Sequence, residues 1–144
     1  NTWLRVRDEG NKITLTLKSV DGKGIAGQKE ILVTIDDFDD TVALLESIGC
    51  EKKSYQESKR ELWRFGDVEI AIDTWPFLET YVEVEGLSEQ SVIEASVRLG
   101  LNYDMAIFDT VNAIYKMKYG KTIDELDKEV LKNFTFDIDN PFIH

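Results

Sequence analysis

The seven residues from Lys12 to Lys18 alternate between polar and apolar without a break. Lys12, Thr14, Thr16 and Lys18 share one face, and Ile13, Leu15 and Leu17 share the other. A period of two is the mark of a β-strand with one apolar side. The same habit recurs along the chain. Arg5 and Arg7 oppose Leu4 and Val6. In Glu30–Asp36, Ile31, Val33 and Ile35 oppose Glu30, Thr34 and Asp36, with Leu32 as the exception on the polar side. In Val68–Asp73, Glu69, Ala71 and Asp73 oppose Val68, Ile70 and Ile72. In Tyr81–Gly86, Glu83 and Glu85 share a face with Tyr81, opposite Val82 and Val84. Lys59–Phe65, Gly66-Asp67 and Val68–Asp73 read as a hairpin with a tight turn. Such a chain is constrained to antiparallel sheet with one charged face.

A wet face explains the alternation but not its ordering by sign. Basic side chains cluster on the early strands, and the last two strands offer mainly carboxylates. Glu83 and Glu85 side by side repel each other unless a cation sits between them, and paired hard oxygens suit Mg2+ or Mn2+. A barrel uses all of these faces at once. Its apolar sides lie under helices and its charged sides line a channel. There arginine and lysine grip phosphate oxygens, while carboxylates hold the cation that bridges them.

At these residues the chain resembles the CYTH superfamily, the triphosphate tunnel metalloenzymes. That group includes class IV adenylate cyclases, thiamine triphosphatases and inorganic triphosphatases. Its succession of charged strands is matched in order by Arg5/Arg7, Lys18, Glu30, Lys59/Arg60, Asp73 and Glu83/Glu85. The resemblance runs from about Trp3 to Gly86. It implies that Arg5, Arg7, Lys18, Lys59 and Arg60 bind substrate, that Glu30, Glu83 and Glu85 hold metal, and that Arg60, Asp73, Glu83 and Glu85 act in catalysis. The family's opening Glu-x-Glu-x-Lys strand does not precede Arg5, so the chain is expected to lack its N-terminal portion. Leu32 replaces a family glutamate, and Glu79 stands where a glycine is frequent.

The remaining segments read as helices. Asp39 or Asp40 is expected to cap a helix carrying Val42, Leu44, Leu45 and Ile48, stopped by Gly49. Ser88 caps a helix ended by Gly100. A third runs from about Asp104 to Tyr119, with Met105, Phe108, Val111 and Tyr115 on one apolar stripe, and Gly120 ends it. Thr122–Glu125 is a capping box for a short last helix. Phe134–Ile138 alternates, as an edge strand or an extended packed tail. Lys116, Lys118 and Lys121 read as a solvated face, although the family resemblance implies a lysine at the tunnel mouth. Ser19–Gln28, with three glycines, reads as a loop between strands.

The net charge of −11 argues against general nucleic-acid binding. It leaves room for a triphosphate, because a local basic lining and a metal outweigh net charge inside a cleft. No apolar run is long enough to span a membrane, and no signal peptide is visible. Cys50 is the only cysteine, which fits a reducing, cytoplasmic setting. His144 is the only histidine, so zinc and histidine acid–base chemistry are poorly supported.

The expected architecture is therefore α+β, a single CYTH-like domain over residues 1–144: an antiparallel barrel tunnel flanked by helices. The expected activity is divalent-metal-dependent hydrolysis of a triphosphate small molecule (inorganic, nucleoside or thiamine triphosphate). A class IV-type adenylate cyclase and a non-catalytic polyphosphate- or nucleotide-binding module are the alternatives. A homodimer is an assembly open to it.

Overall fold

A computed structural model of the protein describes residues 2–20 and 28–143. The expected loop at 19–28 lies largely outside the described residues, and its two ends belong to strands. The chain divides into two compact units, Asn1–Lys52 and Lys53–His144. The architecture is α+β, with two antiparallel three-stranded sheets and four α-helices among the described residues. No strand pairing among the described residues closes these sheets into one barrel.

The first unit holds β1 (Thr2–Asp8), β2 (Ile13–Val20) and β3 (Gln28–Ile35), paired in that order. The register places Trp3, Lys18 and Glu30 in one cross-strand row. Arg5, Thr16 and Leu32 form the next, followed by Arg7, Thr14 and Thr34. The intervening rows are apolar, such as Leu4–Leu17–Ile31 and Val6–Leu15–Val33. Burial departs from the simple expectation that the apolar side is the covered one. Thr16 is 0% exposed on the polar face, whereas Ile31 and Val33 are each 48% exposed on the apolar face. Helix α1 (Phe38–Ser47) packs on β1. Its cap is Asp37, not Asp39 or Asp40. Asp37 has extended backbone, and its Oδ1 accepts the Asp40 N–H at 2.8 Å. Asp39 and Asp40 fall inside the first turn, where their charge still favours the positive end of the helix dipole.

The second unit holds β4 (Lys59–Phe65), β5 (Val68–Thr74) and β6 (Tyr81–Glu85), again antiparallel and in order. Gly66 at φ 64° opens the two-residue hairpin turn between β4 and β5, the position where a glycine is favoured in type II′ geometry. Helix α2 (Glu89–Arg98), capped by Ser88, lies against one side of this sheet and buries Ala95 with Val68 and Ile70. Gly86, between β6 and α2, is a point of close approach. A Cβ there would stand 2.6 Å from Ser91 Oγ and 3.1 Å from Val92 Cγ2. Gly86→Ala is therefore expected to lower stability by about 1–3 kcal/mol through overpacking, read as a reduced urea midpoint. An unchanged midpoint would show that the junction yields freely.

The third expected helix is shorter than its apolar period suggested. Residues Tyr103–Met105 form one 3-10 turn, Ala106 is extended, and α3 spans only Val111–Tyr119. Met105 and Phe108 are 76% and 78% exposed, so they do not join the core stripe. Gly120 ends α3 at φ 75° as expected. The Thr122–Glu125 capping box is present but supports a single 3-10 turn, Ile123–Glu125, before α4 (Lys128–Leu131). The tail makes an isolated bridge from Phe134 to Gln56. Phe134 and Phe142 pack with Tyr115, Leu78 and Ile123 into an aromatic core.

The link from β5 to β6 is pinned by α3. A turn closed by the Leu78 N–H to the Trp75 carbonyl carries Pro76 and Phe77 at its centre, and Phe77 takes φ 65°. That left-handed conformation is costly for a residue with a Cβ. Helix α3 holds it: Tyr115 donates to the Pro76 carbonyl, and Tyr119 and Lys118 donate to the Phe77 carbonyl. No described helix is long and apolar enough to cross a membrane.

Candidate functional site

The charged face of the second sheet is ordered in three cross-strand rows. Arg60, Asp73 and Tyr81 form one. Leu62, Ala71 and Glu83 form the next, and Arg64, Glu69 and Glu85 the third. Arg60 is the hub. Its Nε donates to Asp73 Oδ1 at 2.7 Å, and its Nη2 donates both to Asp73 Oδ2 and, at 2.7 Å, to Glu83 Oε2. The fork-to-carboxylate geometry is the strong, directional form of an ion pair. Asp73 is 1% exposed, so it is a buried anchor that aims the arginine. Its hydrogen bonds hold the Arg60 guanidinium pKa above the ordinary arginine value.

Glu83 and Glu85 do share a face, as their spacing requires. Glu85 stands directly across from Glu69, and Arg64 reaches Glu69 only at 3.8 Å. Opposed carboxylates are unfavourable without a cation nearby. Alternation puts Glu69 on the charged face but does not mark it as a site residue. Its pairing with Glu85 depends on register, which a period of two does not reveal. Alternation puts Tyr81 on this face too and assigns it no role. Its hydroxyl is buried beside the Glu83 carboxylate but outside good hydrogen-bond geometry. Burial, then the Glu83 and Asp73 charges, push its pKa upward, so the phenol keeps its proton.

Lys59 is not with this group. Adjacent strand residues point to opposite faces, and the Lys59 ammonium lies 4.6 Å from the centre of the Phe136 ring, a cation–π contact. Of Lys116, Lys118 and Lys121, Lys118 is tied to the β5–β6 turn by a bond to the Phe77 carbonyl at 3.0 Å and by bonds to both Glu79 carboxylate oxygens at 2.8 and 2.9 Å. Glu79, where the family often has glycine, is thus a partner of α3.

In the first unit, Lys18 and Glu30 face each other and form an ion pair at 3.2 Å. Arg5, Arg7 and Thr16 occupy the same sheet face. Arg5 Nε and Thr16 Oγ1 are buried without hydrogen-bond partners among the described residues. This face combines fixed positive charge with unsatisfied polar atoms, which suits an anionic ligand.

The pattern of the CYTH domain matches residues 1–129. The chain belongs to the CYTH family. Members of the CYTH family act in general on triphosphates and depend on divalent metal. The fold is also similar to that of a conserved hypothetical protein from Pyrococcus furiosus. The two are 22% identical with a TM-score of 0.56, over 72% of this chain and 68% of that one. No curated protein matches the chain.

Among the described residues, no group of three or more Asp, Glu, His or Cys side chains is gathered for a metal. The chemistry nevertheless fits a CYTH metal. Mg2+ is commonly held by one or two carboxylates, with substrate phosphates completing its shell, and Glu83 and Glu85 supply two hard oxygen donors on one face.

Proposed function

We propose that this CYTH protein is a metal-dependent hydrolase of a triphosphate compound, and that residues 1–144 serve as a single CYTH-like domain. The observation that carries the reading is the Arg60 hub. Asp73 and Glu83 occupy the Nε and Nη2 donors, which leaves the Nη1 donors for a phosphate oxygen. Anchoring on Asp73 fixes the fork before the ligand arrives, so less orientational freedom is lost on binding.

In this reading Arg5, Arg7, Lys18 and Arg60 bind and neutralise the phosphates. Glu83 and Glu85, with Glu30, hold Mg2+ or Mn2+. Asp73 positions Arg60 and touches no substrate. Lys59 has no part in it, since it lies on the other side of its sheet. A bound cation supplies charge stabilisation at the phosphoryl oxygens and a more acidic water. The side chains themselves keep the triphosphate extended and its leaving oxygen neutralised, the positioning that phosphoryl transfer chiefly requires.

The test is phosphate release from tripolyphosphate, ATP and thiamine triphosphate, with cyclic AMP measured in parallel. Phosphate is expected with added Mg2+ or Mn2+ and is expected to stop with chelator. Cyclic AMP as the main product would replace hydrolysis by cyclisation. Tight binding with no turnover of any triphosphate would leave a binding module.

A further inference from the structure

Three buried side-chain atoms have no hydrogen-bond partner among the described residues: Arg5 Nε, Thr16 Oγ1 and the Tyr81 hydroxyl. Native proteins pair the large majority of buried polar atoms, because leaving one unsatisfied is costly. All three orphans sit on the charged faces. Arg5 stands opposite Thr16 across β1 and β2, and Tyr81 extends the Arg60–Asp73 row. Two of them are hydroxyls, which charge patterning cannot single out.

Neither hydroxyl makes a hydrogen bond of good geometry within the described residues. Thr16 is fully buried in mid-strand, where valine fits the same volume and suits a strand equally well. The Tyr81 ring packs on the aromatic core that contains Leu78, Tyr115 and Phe134, and phenylalanine would pack there as well. What phenylalanine would lack is the O–H placed among Arg60, Asp73 and Glu83. Asp73 is engaged by Arg60 through both oxygens and Glu83 through Oε2, and the Tyr81 hydroxyl lies beside Glu83 without a hydrogen bond of good geometry.

We propose that the Thr16 and Tyr81 hydroxyls are ligand-contacting donors, each giving a hydrogen bond to a phosphate oxygen held on its own sheet face. The inference rests on the triphosphate reading above. A neutral donor has a distinct signature. It adds affinity without adding charge, so its contribution persists at ionic strengths that screen arginine and lysine.

The experiment is calorimetric titration of tripolyphosphate with Mg2+ into wild type, Thr16→Val and Tyr81→Phe, at several NaCl concentrations. Urea unfolding is measured without ligand. Each variant is expected to bind roughly 5- to 10-fold more weakly at every salt concentration, the worth of one hydrogen bond. The salt slope is expected to equal that of wild type, and the unfolding midpoint to stay level or rise. Wild-type affinity in a variant would remove that hydroxyl from the site. A lowered midpoint with unchanged affinity would show a structural hydroxyl instead, and a flattened salt slope would mean that the substitution had disturbed the charged lining. Failure of wild type to bind tripolyphosphate would overturn the triphosphate reading itself, and the hydroxyl assignment with it.

Discussion

The doubly substituted protein Glu83→Gln/Glu85→Gln is expected to lose metal-stimulated phosphate release by roughly 100-fold or more, since even outer-shell changes at metal sites cost 10–100-fold. Glutamine keeps the volume of glutamate and removes the anionic charge that a hard cation requires. The fold is expected to survive. Glu83 is joined to Arg60 by one bond on the outer side of the hub, and Glu85 is exposed opposite Glu69. Exposed ion pairs contribute about 1 kcal/mol or less, and removing Glu85 also relieves a like-charge contact. The checks are phosphate release, metal titration and a urea midpoint. Loss of turnover with metal affinity intact would move the metal away from β6, and full activity would dismiss both carboxylates.

Arg60→Ala is expected to damage stability and binding together. Asp73 is 1% exposed and receives two of the arginine's hydrogen bonds. Removing one partner of a fully buried pair costs about 3–5 kcal/mol. The Arg60 side chain is 44% exposed, so water replaces part of what is lost, and about 2 kcal/mol is the expected fall in stability. Affinity for tripolyphosphate at saturating Mg2+ is expected to fall by about 10- to 150-fold, the 1.5–3 kcal/mol of a charge-assisted bond. Arg60→Lys restores charge without the fork, so it is expected to recover only part of either loss. Calorimetry on the three proteins decides the point, and equal affinities would exclude Arg60 from ligand contact.

Alternation made the strands legible because it follows directly from the geometry of a pleated backbone. The Gly66-Asp67 turn, the Ser88 cap and the Gly120 stop were legible because each rests on local chemistry. Helix length between stops was not. The spacing of Met105, Phe108, Val111 and Tyr115 is the same whether or not the backbone at Ala106 is helical, and Ala106 is extended. The capping aspartate was missed among Asp36, Asp37, Asp39 and Asp40 because four neighbouring carboxylates present the same signal; only the Asp37 side chain closes on the Asp40 N–H. At the site, charge order led to Arg60, Asp73, Glu83 and Glu85. The adjacency of Lys59 and Arg60 concealed that they face opposite ways. Glu69, Thr16 and Tyr81 emerged only from register and burial, which arise between strands rather than along one.

The Pro76–Phe77 turn has a consequence for the order in which the protein is made. Ribosomal synthesis releases β5 and β6 before Tyr115, Lys118 and Tyr119, which hold the strained carbonyls between them. Phe134 and Phe142, which complete the core beneath that link, emerge later still. Domains generally fold as units during synthesis, and this one lacks its clamp until α3 has left the ribosome. The nascent sheet therefore presents its carboxylate strand before the clamp on its entry exists. While β6 has left the ribosome and α3 has not, Glu83 and Glu85 stand on a strand whose link to β5 is not yet clamped.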